Sequence, residues 1–181
     1  MEVNKNELPK NSEQWAAIDG YKNYQVSWWG RVRNSKTARI LRGRVCSHGY
    51  MSVNLSKKGK VTTHTIHKLV AQEWVSNPGK KRCVDHVDGC KTNNHYENLR
   101  WATYAENNRN RKKQANTTSI YKGVSFDKNS RKWLARIMVD GTAKWLGAFE
   151  IEKEAAIVYN AAALKFYKKF ARLNEFDDCD L

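Results

Sequence analysis

Reactive side chains are densest between residues 84 and 107, VDHVDGCKTNNHYENLRWATYAEN. A carboxylate and an imidazole are adjacent there, Asp85-His86, and an Asp88-Gly89 turn and several side-chain amides follow. Carboxylate and amide oxygens are hard ligands, suited to Mg²⁺ or Mn²⁺ rather than Zn²⁺. A neutral histidine is the usual general base near neutral pH. Phosphodiester hydrolysis needs both: a base to activate water and a cation to stabilise charge on the phosphate and leaving oxygen. Asp-His-x-Asp-Gly alone could be no more than a polar turn. The amides and the helix start behind it favour the chemical reading.

Several elements must position these groups. Neighbouring strand residues point to opposite faces, so the chain has to fold back to build a site around Asp85 and His86. Asp88-Gly89 supplies a turn signal, and Leu99-Arg100-Trp101 reads as a short return strand. Thr103-Tyr-Ala-Glu106 has the form of a capping box, which puts Asn107 in the first turn of a helix. The local order is strand, loop, strand, helix.

With His67-Lys-Leu-Val-Ala-Gln-Glu-Trp74 ahead of it, this stretch resembles the HNH homing endonucleases of the ββα-metal type, in the subclass where Asn replaces the last His. The resemblance implies that Asp85 binds the metal and His86 is the general base. It implies that Asn98, thirteen residues after Asp85, holds the base in orientation, and that Asn107, twenty-two after, is the second metal ligand. Asn94, in the turn, is the alternative for the orienting role. His64 and His67 lie outside the motif and read as structural or backbone-contacting.

The net charge of +15 over 181 residues favours polyanionic partners. No apolar run approaches the ~18 residues of a membrane span, and the polar N-terminus does not read as a signal peptide. Nucleic acid is therefore the expected partner, and the resemblance implies double-stranded DNA inside the cell. Cys46, Cys83, Cys90 and Cys179 form no C-x-x-C pair. A structural zinc knuckle is thus not expected, and reduced thiols are.

Residues 1–12 read as a flexible tail. Residues 13–59 carry short aromatic and β-branched segments broken by Gly-containing turns, the pattern of a small β-rich module. Gly30–Asn34 and Ile40–Val45 alternate basic with apolar residues, giving strands one basic face. Trp15 through Asn34 resembles the NUMOD-type module, which implies that this region helps hold DNA. Arg31, Arg33, Arg42 and Arg44 are its candidate phosphate contacts. Residues 60–113 form the expected nuclease core, with Arg109 and Arg111 following Asn107 toward the helix end, where cations favour both the helix and phosphate. Gln114–Ser119 is a polar linker.

Residues 120–174 change character. Ile120–Lys128, Trp133–Val139 and Thr142–Glu150 predict three strands, with Asp140-Gly141 as a hairpin turn. Glu152–Lys169 predicts a helix whose alanine-rich stripe would let it lie close to a sheet. The segments around Tyr121–Val124, Lys132–Ile137, Trp145–Phe149, Glu154–Ala163 and Ala171–Asn174 resemble the APETALA-type DNA-binding domain, whose sheet reads DNA through Arg and Trp. That resemblance implicates Lys122, Arg136, Lys144 and Trp145. Ser125, Asp127 and Met138 stand where that pattern often has Arg, so its target sequence does not carry over. Residues 175–181 are an acidic tail.

The expected fold class is α+β: a β-rich module, a ββα-metal core, and a three-stranded antiparallel sheet on one helix. The expected function is that of a site-specific, homing-type DNA endonuclease with one Mg²⁺ or Mn²⁺ per site. A monomer would nick one strand, and a double-strand break would need a dimer or two visits. The alternatives are a DNA-binding regulator with a vestigial nuclease core and a nuclease acting on RNA.

Overall fold

The computed structural model describes residues 12–113, 115 and 117–176. The expected flexible tail thus lies almost wholly outside the described residues, as do Cys179 and most of the acidic tail. The chain divides into two compact units, residues 1–103 and 104–181.

Among the described residues the first unit holds three small antiparallel sheets, one α-helix and a 3₁₀ turn at Tyr96–Asn98. β1 (Trp15–Ile18), β2 (Tyr21–Ser27) and β3 (Val32–Asn34) form a meander. β4 (Arg44–Val45), β5 (Met51–Lys57) and β6 (Lys60–Thr65) form a second. Helix α1 (Ile66–Trp74) follows, and β7 (Cys83–His86) then pairs with β8 (Leu99–Ala102).

One apolar core joins the two meanders, α1 and the β7–β8 pair. Val26 and Val32 of the first sheet, Val53 and Leu55 of the second, Leu69 and Val70 of α1, and Val84 and Leu99 of the β7–β8 pair are buried together. Trp74 donates its indole N–H to Val26 O at 3.3 Å. The boundary expected at residues 59 and 60 falls on the β5–β6 hairpin turn, where Lys57 pairs with Lys60. Strands this short cannot bury enough surface alone, and here the NUMOD-like and HNH-like segments share a single core.

The second unit begins with α2 (Tyr104–Arg109), continues through β9 (Val124–Asp127), β10 (Lys132–Val139) and β11 (Thr142–Phe149), and ends on α3 (Glu152–Tyr167) with a 3₁₀ turn at Lys168–Phe170. The sheet order is β11-β10-β9, all antiparallel. Asp140 and Gly141 both have positive φ, 49° and 81°, as a tight hairpin turn requires. Ala135 packs with Ala155 and Ala156, all fully buried, so the helix lies close on the sheet as its small residues predict. Trp133 and Phe149 join this core, while Trp145 remains 55% exposed. The fold class is α+β, as expected. Among the described residues no helix is long and apolar enough to cross a membrane.

Candidate catalytic site and nucleic-acid-binding surfaces

β7 and β8 run antiparallel with Asp85 opposite Arg100 and His86 opposite Leu99. Alternation along β7 then sends the two reactive side chains to different faces. On one face Arg100 reaches directly across the pair. Its Nε lies 2.8 Å and its Nη2 2.7 Å from Asp85 Oδ2. The Asp85 side chain is only 6% exposed, so this is a buried ion pair that fixes where the carboxylate points.

On the other face the His86 ring lies among aromatic rings. The centroid of His67, from α1, is 5.1 Å away at an edge-on angle, and Tyr50, just before β5, stacks at 5.8 Å. Burial pulls the His86 pKa below 6.5, against the raising influence of Asn94, Asp88 and Asp85. The ring is therefore neutral at pH 7, the form a general base needs. Burial also pulls His67 down to about 3, helped by the charge of His86 and of Lys68. His67 stays neutral at any working pH, and its Nδ1 is buried with no hydrogen-bond partner among the described residues.

The loop from Val87 to Asn98 is organised by Asp88. Its carboxylate accepts hydrogen bonds from Cys90 N at 2.7 Å, Asn93 Nδ2 at 2.7 Å and Asn98 Nδ2 at 2.9 Å. Partial desolvation opposes its charge, but these bonds outweigh it and hold the carboxyl below its usual range. Asn98 also accepts from Asp88 N and donates to Asn93 O, at 3.0 and 2.9 Å. The Asn98 side chain thus braces the loop. The amide that meets the His86 ring belongs to Asn94, whose Oδ1 lies 3.4 Å from Nε2. Asn94 donates its Nδ2 to Thr92 O at 3.2 Å, which fixes its orientation and aims the oxygen at the ring. Nε2 is then the protonated nitrogen, leaving the basic lone pair on Nδ1.

The structure therefore brings Asp85, His86, Asn94 and Asn98 together around one strand pair. Asn107 is half-buried on α2, in the second unit. Among the described residues no three His, Cys, Asp or Glu side chains cluster to cage a metal. The Asp85 carboxylate is a hard oxygen donor that fits a cation such as Mg²⁺, which keeps most of its waters. Cys46, Cys83 and Cys90 are free thiols.

Arg100, Tyr50 and His67 were not singled out as site residues by the sequence. Arg100 could have been found from the β7–β8 register. His67 shares the buried face of α1 with Val70 and Ala71, a helical spacing that marks burial but not a contact with His86.

The basic residues sort into two groups. Arg31 and Arg33 flank the Trp15 ring, with Cζ 5.9 and 4.1 Å from its centroid. Arg31 is also ion-paired with Glu13, and Arg33 Nε donates to Gln25. In the second unit, Arg136 lies over Trp145 at 5.4 Å on the exposed sheet face, and Arg111 is exposed. Three others make contacts within the unit. Lys144 follows the strand alternation away from Trp145, and its Nζ sits 5.7 Å from the Phe166 ring of α3. Arg109 lies over Tyr167 at 5.0 Å and reaches Asp140 at 3.5 Å. Lys122 donates to the carbonyls of Arg109 and Arg111, at 2.6 and 2.7 Å. Burial, with the charges of Arg172 and Arg111, lowers its pKa to about 8.

Lys122 thereby closes the C-terminal end of α2. Replacing it with Met would leave two carbonyls without their donor. Thermal or urea unfolding of Lys122→Met should show a loss of roughly 1–3 kcal/mol. An unchanged midpoint would mean the ammonium contributes nothing to holding α2.

Two family models match the chain: a NUMOD4 motif over residues 13–56 and an HNH endonuclease over residues 77–109. An uncharacterised HNH endonuclease of Acanthamoeba polyphaga mimivirus is 38% identical over 94 residues, 52% of this chain and 28% of the relative. The chain thus spans little more than a quarter of that relative's length. DNA endonuclease I-HmuI of Bacillus phage SP01 is 35% identical over 133 residues, 72% of this chain and 76% of I-HmuI. The chain belongs to the HNH homing endonucleases. Within that family, a structure of I-HmuI describing DNA binding and cleavage superposes with a TM-score of 0.51 at 30% identity, covering 85% of this chain and 91% of that one. A further similarity, 41% over 61 residues, is to dehydration-responsive element-binding protein 2D of Arabidopsis thaliana, covering 33% of this chain and 29% of that protein. The HNH match spans residues 77–109, a segment that includes Asp85, His86, Asn98 and Asn107.

Proposed function

We propose that this HNH protein is a site-specific DNA endonuclease of the homing type that hydrolyses one phosphodiester per active site. The observation that carries the reading is His86: buried, neutral, with its Nε2 beside the Asn94 amide oxygen, and next to Asp85 at the end of β7 within the HNH-matched segment. His86 Nδ1 accepts a proton from water as that water attacks phosphorus. The aromatic neighbours Tyr50 and His67 hold the ring and exclude bulk water from its face. Arg100 keeps the Asp85 carboxylate aimed. Asn98 keeps the Asp88 loop closed, which holds the end of β7 in shape. A divalent cation, Mg²⁺ or Mn²⁺, held by Asp85, would supply positive charge to the scissile phosphate and the leaving oxygen.

DNA affinity is electrostatic, set by the +15 charge, and should fall steeply with salt. The similarity to a plant element-binding protein and the exposed Arg136–Trp145 pair support base recognition by the sheet of the second unit. The protein works inside the cell, on the DNA, as a monomer that nicks. The test is a supercoiled plasmid library incubated with the protein and Mg²⁺ or Mn²⁺. Metal-dependent nicks at one sequence, abolished by chelation, are expected. Binding without any cleavage would turn the reading to a regulator, and preferential cleavage of structured RNA would change the substrate.

A further inference from the structure

The turn between β2 and β3 runs Trp28-Trp29-Gly30-Arg31. It lies in the NUMOD4-matched segment, nearly sixty residues before the HNH motif, yet it packs directly on the catalytic loop. Gly30 has φ +83°, and a Cβ built on it would sit 2.6 Å from Asn94 Cβ and 3.2 Å from Asn94 O. Real Cβ atoms do not approach that closely, so only glycine allows this contact. Two residues on, Tyr96 donates its backbone N–H to Trp28 O at 2.8 Å. The Trp28 and Tyr96 rings stack with centroids 5.7 Å apart and planes 10° from parallel. Trp28 is in turn held by Trp74 of α1, at 6.2 Å. The turn is thus fixed to the shared core on one side and to residues 94–96 on the other.

Asn94 is 6% exposed and meets His86 Nε2. A side-chain amide that sets a tautomer must stay within a few tenths of an ångström of its place, and the His86–Asn94 separation of 3.4 Å is already at the long end of a hydrogen bond. Thr92 O fixes which way the amide faces, but nothing in that bond fixes how near the Asn94 backbone lies to the ring. The Gly30 contact does so, because it is backbone against Cβ with no soft side chain between.

We infer that the Trp28-Trp29-Gly30 turn is a positioning element for the general base: Gly30, braced by the Trp28–Tyr96 stack, presses Asn94 against His86 and so selects the Nε2-protonated ring. This rests on His86 being the base. It gives the NUMOD-type module a part in catalysis besides any contact with DNA, and it makes Asn94 the amide through which the base is set.

The experiment uses the full chain and the variants Gly30→Ala, Asn94→Ala, the double variant, and Trp28→Leu, with His86→Ala as reference. Long-range ¹⁵N–¹H spectra of histidine-labelled protein report the His86 tautomer without any cleavage. The wild type should show Nε2–H, and Gly30→Ala and Asn94→Ala should each show a mixture. In nicking assays the two single variants should lower kcat by roughly ten- to a hundredfold, within the range that general-base catalysis supplies, with DNA affinity unchanged. The double variant should be no slower than Asn94→Ala alone, because Gly30 acts through that amide. Trp28→Leu, which leaves Gly30 φ alone, should give a smaller loss in the same direction, so a folding defect in Gly30→Ala would not decide the matter. If the losses multiply, if His86 is Nδ1-protonated in wild type, or if the tautomer is the same in all variants, the positioning idea is overturned while an inactive His86→Ala still supports the base. If His86→Ala cleaves like wild type, the base assignment itself is wrong.

Discussion

His86→Ala should nick a target-bearing plasmid roughly 10²–10⁴-fold more slowly than wild type, with DNA binding retained. The ring is buried beside Tyr50 and His67, so its loss should remove proton transfer rather than affinity. The wild-type pH profile should carry the matching sign. The active form of the base is neutral, and burial shifts its pKa below 6.5. The rate should therefore hold level through neutral pH and fall only on the acid side of 6.5, and His86→Ala should lose that limb. A limb centred above 6.5 would place the titration on another group. Asp85 needs a gentler substitution. Its removal would leave Arg100 buried without its carboxylate, and breaking a buried pair in this way costs roughly 3–5 kcal/mol. Asp85→Asn keeps the shape and a hydrogen-bond acceptor for Arg100. It should abolish most metal-dependent nicking while unfolding close to wild type. If nicking survives in both His86→Ala and Asp85→Asn, the site is elsewhere.

The parts of this site that sequence made legible are those encoded locally. Asp88-Gly89 had to turn and Leu99–Trp101 had to return, while the register that sets Asp85 opposite Arg100 came only with the structure. The hairpin at Asp140-Gly141 and the alanine-lined approach of α3 are local in the same sense. What stayed hidden depends on distant pairings. Tyr50, His67 and Gly30 reach His86 or its partner from three different elements, and no periodicity near any of them signals that meeting. The unit boundary was obscured for a related reason. Gln114–Ser119 is polar and reads as a linker, but Lys122 and Tyr167 hold α2 by contacts made from beyond it. The division accordingly falls at residues 103 and 104. Asn98 and Asn94 illustrate the limit of motif spacing. Spacing points to Asn98, yet that side chain meets Asp88 and Asn93, while Asn94 faces the ring.

Arg136→Ala and Trp145→Ala should each weaken binding to the cognate sequence by about 1–3 kcal/mol, or roughly ten- to a hundredfold, while leaving non-specific binding nearly intact. The two residues face each other across β10 and β11, next to the irregularity between Ala135 and Arg136 that increases local twist. Both are exposed on the sheet face away from α3, with the guanidinium over the indole. Such stacking pre-orients an Arg fork for the bidentate contact that reads guanine in a major groove. Lys144 gives the contrast, because its ammonium lies by Phe166 toward α3. Lys144→Ala should reduce cognate and random-sequence binding alike and only slightly. Titrating fluorescent duplexes of both kinds at two salt concentrations separates these outcomes. A phosphate contact lowers both affinities and flattens the salt slope, whereas a base contact lowers the ratio between them. If Arg136→Ala lowers both affinities equally, the sheet face positions the DNA without reading it, and selectivity must come from the first unit, where Arg31 and Arg33 flank Trp15.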